Sequence, residues 1–298
     1  MQYLQWIIKG LAMGAADVVP GVSGGTLAFI LGIYERLLAA ISNCNLAALK
    51  LLLRMQFSAV WRHIDGTFLL CLFSGILLSI FSLAGILSFM LEHRPIPLWA
   101  LFCALILTAL PPLIRSLRWN ALRILLLLLG AASAIAVGML TPRELQPQNW
   151  MFFIAGAVAI CAMILPGISG SFILLMSGMY APVLAAVTGL QFSVLSLFLL
   201  GCIIGLLSFS RFLNWLLKHY HDASLAFLVG IVLGAFYRIW PWQQGQSLYL
   251  PWQYQQRVGD ADVLMAAVFA CAGVLVMWLL LNMEKWLGPA QSRAQSGN

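Results

Sequence analysis

The sequence predicts an all-α membrane protein built as an inverted-topology repeat. Each half is one broken, re-entrant helical hairpin followed by three transmembrane helices. Three observations carry this. First, the 298 residues are 62% hydrophobic and only 8% charged, against the roughly 25% charge of a soluble domain. That leaves too little charge to coat a water-facing surface. Second, long apolar stretches alternate with short polar ones, and no polar stretch is long enough for a separate globular domain. Third, a glycine-rich break, Pro20-Gly21-Val22-Ser23-Gly24-Gly25-Thr26, interrupts the first apolar segment and recurs 146 positions later as Pro166-Gly167-Ile168-Ser169-Gly170-Ser171.

Taken in order, residues 4–19 form a first arm, apolar apart from Lys9 and Asp17. The break follows, then a second arm over 27–41. The start lacks a basic n-region and a clear cleavage site, so it reads as retained rather than as a signal peptide. Residues 42–65 are a more polar connector with Lys50, Arg54, Arg62 and Asp65. Spans are expected at about 66–91, 97–114 and 124–140. The polar loop 141–150 divides the halves, giving one repeat over 1–146 (hairpin 4–41) and a second over 147–298 (hairpin 151–187). In the second half, arms 151–165 and 172–187 flank the break, and spans follow at about 192–216, 224–239 and 261–282. The loop 240–260 is rich in Trp, Tyr and Gln and reads as an interfacial aromatic belt. Gly32-Ile33-Tyr34 matches Gly178-Met179-Tyr180 at the same offset, so the repeat extends beyond the break.

A hairpin returns the chain to the side it entered, and three spans then carry it across. The second half is therefore inverted. With the N-terminus in the cytoplasm, the 16 Lys and Arg residues divide 12 inside to 4 outside (Arg94, Arg143, Arg238, Arg257), as the positive-inside tendency favours. Arms of 15–17 residues reach about 22–26 Å, short of the ~30 Å hydrocarbon core, so re-entrant arms with both breaks near the midplane fit better than full crossings. Inverted repeats with helices broken at corresponding positions point to a transporter binding site. The six cysteines fall mostly in apolar runs with no C-x-x-C pair, and the net charge of +7 reflects loop placement rather than nucleic-acid binding.

Glycine permits backbone conformations closed to other residues, and free N–H groups at a helix start favour an anion. Gly21, Ser23, Gly24, Gly25 and Thr26, with Gly167, Ser169, Gly170 and Ser171, are accordingly the candidate phosphate-binding residues. The bland alternative is that small residues merely let helices pack closely. Asp17, whose counterpart is Met163, is the candidate for coupling to a proton or sodium ion, since an ionisable group at membrane depth is functional by default; its alternative is a helix-end or N-cap aspartate satisfied by backbone. Tyr34, Tyr180, Glu35, Arg36 and Arg211 are accessory candidates. Glu35 and Arg36 read as a solvated pair, and Arg211 as a cation that snorkels to the interface or inward to an anion. No metal or cofactor is expected: His219-Tyr220-His221 is a weak metal pattern on its own, and no P-loop lysine follows the glycines.

Two enzymes compete with transport. Both breaks contain the G-x-S-G of intramembrane serine proteases, but no histidine is placed mid-membrane to serve as base. Undecaprenyl-pyrophosphate phosphatases carry Pro-Gly-x-Ser-Arg-Ser and paired acids. Here Gly24 and Gly170 stand where the arginine would be, and no Glu-x-x-x-Glu occurs. A small-anion transporter or channel remains a third reading.

The run from Gly14 to Thr26, Gly-Ala-Ala-Asp-Val-Val-Pro-Gly-Val-Ser-Gly-Gly-Thr, followed by Gly32-Ile33-Tyr34-Glu35, resembles the bacterial polyprenyl-phosphate transporters. The resemblance covers nearly the whole chain, including the second Pro-Gly-Ile-Ser-Gly-Ser copy, and departs from it in the missing acid at Met163. It implies a multi-pass flippase of the bacterial inner membrane, with both termini cytoplasmic, returning undecaprenyl phosphate to the cytoplasmic leaflet for peptidoglycan and other envelope polymers. The implied partner is the lipid phosphate; homo-oligomerisation is left open.

Overall fold

A computed structural model describes residues 2–19, 22–140, 147–245 and 247–287. Pro20 and Gly21 of the first break, and most of the expected boundary loop between halves, lie outside the described residues. The described chain is almost wholly α-helical, as an all-α membrane protein requires. Among the described residues, six helices are long and apolar enough to cross a bilayer: α6 (Gly66–His93), α7 (Pro95–Ser116), α8 (Ala121–Gly138), α12 (Phe192–His219), α13 (His221–Ile239) and α15 (Val263–Leu287). Each falls where the apolar stretches place a span.

The hairpins are more broken than expected. Their first arms are the helices α1 (Gln2–Val18) and α9 (Asn149–Ile164). The second arms, read as continuous over 27–41 and 172–187, each divide in two. In the first half α2 (Gly24–Ile30) and α3 (Tyr34–Ser42) are bent by 116°, and in the second α10 (Gly170–Met176) and α11 (Tyr180–Thr188) by 107°. The bends turn at Gly32 and Gly178, with φ of 69° and 72°, a left-handed conformation that glycine alone adopts without penalty. A seven-residue helix spans about 10 Å, so neither α2 nor α10 crosses a bilayer alone.

The connector folds as two short helices, α4 (Leu46–Leu53) and α5 (Phe57–His63). Asn45 caps α4, accepting from the Ala47 and Ala48 N–H groups at 2.9 and 3.1 Å. Leu46, Leu53, Met55 and Phe57 are exposed beside Lys50, Arg54 and Arg62, the composition of helices that lie in a membrane interface. The aromatic loop is a two-stranded antiparallel hairpin, β1 (Gln243–Gln244) with β2 (Ser247–Leu248), followed by α14 (Pro251–Arg257). Its tryptophans tie the loop together: the indole N–H of Trp240 donates to the Tyr249 carbonyl and that of Trp242 to the Ala261 carbonyl, both at 2.8 Å. Trp252 remains exposed.

By packing, the chain forms two compact units that interleave in sequence: residues 1–19, 67–116 and 239–298 in one, and 20–66 with 117–238 in the other. In the first unit, α1 lies so close to α6 that a Cβ on Gly10 would strike the Leu72 carbonyl and one on Gly75 the Ile7 carbonyl. α7 lies against α15, with Gly273 over the Leu101 carbonyl. In the second unit, α9 meets α12 with Gly156 on the Phe198 carbonyl and Gly201 on the Phe153 carbonyl, and α8 meets α13 with Gly130 on the Phe227 carbonyl.

These contacts repeat in register. Gly10 and Ile7 stand 146 positions before Gly156 and Phe153, while Gly75 and Leu72 stand 126 before Gly201 and Phe198. Likewise Leu101 precedes Phe227 by 126, and Gly130 precedes Gly273 by 143. The α1–α6 contact in one unit and the α9–α12 contact in the other thus use corresponding residues, as do α7–α15 and α13–α8. Without hydrophobic drive between helices in lipid, close backbone approach through small residues is what holds such pairs.

Candidate functional site

The second unit brings the described part of the first break against the second. Ser23 is the N-cap of α2: its backbone is extended, and its Oγ accepts the Gly25 N–H at 3.1 Å. The same hydroxyl donates to the Met163 carbonyl at 3.3 Å. Thr26 Oγ1 accepts the Gly167 N–H at 2.7 Å. Two residues past the Gly32 bend, at the start of α3, the Tyr34 hydroxyl donates to the Ile164 carbonyl at 3.0 Å. Gly25 is required by the same approach, because a Cβ there would come within 2.9 Å of the Met163 oxygen and 3.0 Å of the Ile164 oxygen. Ser23, Thr26 and Tyr34 are all buried.

The reason is the second break itself. α9 ends at Ile164, so its last carbonyls have no intrahelical partner. Pro166 brings no N–H, and Gly167 turns the chain at φ 87°. Ser23 of the first break and Tyr34 of α3 supply donors, and Thr26 an acceptor, to the backbone so freed. Ser23, Thr26 and Tyr34, expected to face a ligand or to be accessory, hydrogen-bond to protein backbone.

The second copy is arranged differently. Ser169 is partly buried and Ser171 exposed, and their hydroxyls share a hydrogen bond at 2.8 Å. Gly170 packs so closely on α9 that a Cβ would lie 2.6 Å from the Ala159 oxygen. An arginine could not occupy position 170 without moving α10. A cation reaches this region from another helix. Arg238, in the last turn of α13, lays its guanidinium over the Phe172 ring, 5.0 Å from the centroid. Arg238, Phe172, Ser169, Gly167 and the small residues Gly138 and Ala235 line one cleft. Gly167 also touches Ile231, in the middle of α13, where a Cβ would lie 3.0 Å from the Ile231 oxygen. The breaks therefore meet beside the middle of a helix long enough to span a membrane.

Arg238 was not legible as a site residue. It reads as one outward loop cation among four, and no linear spacing ties it to Ser169.

The remaining candidates disperse. Asp17 belongs to the other unit, partly buried in the last turn of α1. The N-cap of α2 is Ser23. A carboxylate in a last turn opposes the helix dipole. Glu35 meets His221 Nε2 at 3.0 Å and Arg36 meets Asp65 at 2.7 Å. Arg211 donates to the Cys44 carbonyl at 3.1 Å. Tyr180, the counterpart of Tyr34, is exposed. Gly24 is buried, and Gly21 lies outside the described residues. Among the described residues no three His, Cys, Asp or Glu side chains gather as a metal set.

Residues 13–256 match a family described as undecaprenyl phosphate translocase-like. A polyprenyl-phosphate transporter of Vibrio cholerae serotype O1 is 52% identical over 96% of this chain and 97% of its own length. A polyprenyl-phosphate transporter of Staphylococcus aureus is 31% identical over 81% of this chain and 88% of its own. No solved structure matches. A multi-pass helical protein with two broken hairpins, matching over most of its length, the chain belongs to the undecaprenyl phosphate translocase-like family of membrane transporters.

Proposed function

We propose that this protein carries undecaprenyl phosphate from the outer to the cytoplasmic leaflet of the bacterial inner membrane, returning the lipid carrier for reuse in envelope polymers. The observation that carries the reading is the junction of the two breaks: Thr26 holds the Gly167 N–H at 2.7 Å, and Ser169 of the second copy lines a cleft beside the end of α13 while sharing a hydrogen bond with Ser171. Irregular backbone at membrane depth persists where it is buried in protein or lines a cavity, and both conditions are met.

Alternating access of two inverted repeats is the mechanism we infer. It is supported by the matching glycine registers of α1–α6 with α9–α12 and of α7–α15 with α13–α8. Such a register lets a helix pair move as one rigid piece while the junction between pieces rearranges. The prenyl tail stays in lipid, and only the head group needs a polar path. Both termini lie in the cytoplasm in this reading, and Asp17 couples movement to a proton or sodium ion. A pyrophosphatase-like enzyme is disfavoured by Gly170, whose place against the Ala159 carbonyl excludes the arginine such a motif needs.

The test is surface exposure of undecaprenyl phosphate in cells with and without the protein. Loss of the protein should raise outer-leaflet lipid phosphate, and re-expression should lower it. Release of inorganic phosphate from undecaprenyl pyrophosphate by the purified protein would replace this reading with the enzyme. Flux of small anions insensitive to lipid phosphate would replace it with a channel.

A further inference from the structure

We infer that the cavity between α9 and α10 seats the isoprene units nearest the phosphate as the lipid enters from the outer leaflet. This rests on the lipid-phosphate reading above and adds the part that reading leaves out, recognition of the chain.

The cavity has a volume of about 330 Å³ and is lined by Trp150, Met151, Ile154 and Val158 of α9, Ile173 of α10 and Met179 at the bend. Its floor is Ala155 and Met179, both part of a buried cluster with Phe152. Its polar side-chain groups are already engaged. The Ser177 hydroxyl donates to the Leu174 carbonyl at 3.1 Å, and the Trp150 indole N–H to Gln148 Oε1 at 2.7 Å. A polar ligand would lose its own hydrogen bonds there, whereas a hydrocarbon loses none. A dry cavity of ~150 Å³ holds one benzene ring, so about 330 Å³ takes roughly ten carbons, or two isoprene units. The two methionines are flexible enough to fit a chain that branches at every unit. Ile154 and Val158 are exposed at the rim, so the chain enters from lipid without leaving the hydrocarbon layer.

The place of the cavity fits an entering lipid. From Trp150 to Val158 is about 12 Å along α9, most of the ~15 Å half-thickness of the hydrocarbon core. In the orientation the charge distribution favours, Trp150 lies at the outer interface, where indoles gather. A chain in the cavity therefore runs inward from that interface, as the chain of an outer-leaflet lipid does. It ends at Ile173, whose N–H donates to the Ser169 carbonyl one turn back. The seat holds the lipid beside the second break before its head group moves.

The first half carries different chemistry at the same places. Met151 and Ala155 correspond, 146 positions earlier, to Gln5 and Lys9, and Ser177 to Leu31. All three counterparts are buried. A hydrocarbon chain laid against Gln5 and Lys9 would desolvate polar groups that Met151 and Ala155 do not have. Two matching seats would load an inverted repeat equally from both leaflets. A seat of this chemistry in one half gives entry a side.

The experiment uses farnesyl phosphate with a diazirine at the end of the chain opposite the phosphate. It is photolysed with the purified full-length protein in lipid nanodiscs, and the label is located by mass spectrometry. Retention of radiolabelled farnesyl phosphate is measured alongside. Label should fall on α9 between Trp150 and Val158 and on α10 around Ile173. Unlabelled farnesyl phosphate should displace it at several-fold lower concentration than straight-chain hexadecyl phosphate. Val158→Trp, which fills the cavity from its rim, should cut labelling about tenfold. Ser177→Leu, which installs the residue type of the first-half counterpart, should cut it a few-fold while melting like wild type. Ile203→Trp, at an exposed position of α12 outside the cavity, should leave labelling unchanged. Wild-type labelling in both Val158→Trp and Ser177→Leu would overturn the seat, as would label confined to other helices. Equal displacement by hexadecyl phosphate would make the cavity a site for any lipid chain and overturn its assignment to the prenyl chain. In each of these outcomes the wild type still retains farnesyl phosphate and the transport reading stands. Failure of the wild type to retain it would instead remove the lipid-phosphate reading beneath, and the seat with it.

Discussion

Thr26 Oγ1 accepts the Gly167 N–H at 2.7 Å, a hydrogen bond between the two breaks across 141 positions of sequence. The acceptor is buried, and the donor belongs to a glycine that φ 87° holds out of any helix. Losing the hydroxyl would orphan that N–H, at a cost of about 1–3 kcal/mol. Thr26→Val, nearly isosteric, should lower the melting temperature of the detergent-solubilised protein, and Thr26→Ser should largely restore it. Equal melting of Thr26→Val and wild type would mean the junction is not held by this bond.

The two copies of the motif divide their labour, and this gives a second prediction. Ser23 caps α2 and reaches the Met163 carbonyl, so Ser23→Ala should destabilise by about 0.5–2 kcal/mol. Ser169 and Ser171 share a hydrogen bond, and Ser169 lines a cleft. The pair Ser169→Ala with Ser171→Ala should leave the melting temperature nearly unchanged while lowering lipid-phosphate transport. A double variant that transports normally would place the head group elsewhere.

How far these roles were legible in sequence depends on spacing. The six spans, the positions of both breaks and the 146-residue offset of the hairpins follow from apolar runs and glycine alone. The repeat beyond the hairpins does not. Residues 43–65 intervene between α3 and α6, where only 189–191 separate α11 from α12. The offset therefore falls to 126 for the first spans, and the longer connection at 240–262 raises it to 143 for the last pair. A single-offset comparison loses the glycine register that the packing displays. The arms looked continuous because Gly32 and Gly178 sit in apolar surroundings, and one glycine in an apolar run does not announce a 100° bend. Arg238 was hidden because Phe172, whose ring it covers, is more than sixty positions away.

The bends themselves can be tested. Nothing lies within 4 Å of a Cβ built on Gly32, so a substitution there meets no clash, only the cost of φ 69°. Gly32→Ala should destabilise by about 1–2 kcal/mol, and Gly32→Asn by less, since Asn tolerates the left-handed region. If Ala and Asn cost the same, conformational preference is not the reason for glycine.

The helix-pair register predicts a sharper contrast. A Cβ on Gly201 would collide with the Phe153 carbonyl, and its counterpart Gly75 with the Ile7 carbonyl, whereas a Cβ on Gly85, also within α6, meets nothing within 4 Å. Gly201→Ala and Gly75→Ala should therefore each separate a helix pair, costing several kcal/mol once backbone must shift. Gly85→Ala should be neutral or gain up to about 1 kcal/mol from helix propensity. Because Gly75 and Gly201 hold corresponding places, their losses should be of similar size. Thermal melting of the three variants in one detergent checks this directly. A Gly85→Ala loss as large as the other two would mean that glycine serves these helices through flexibility rather than close approach.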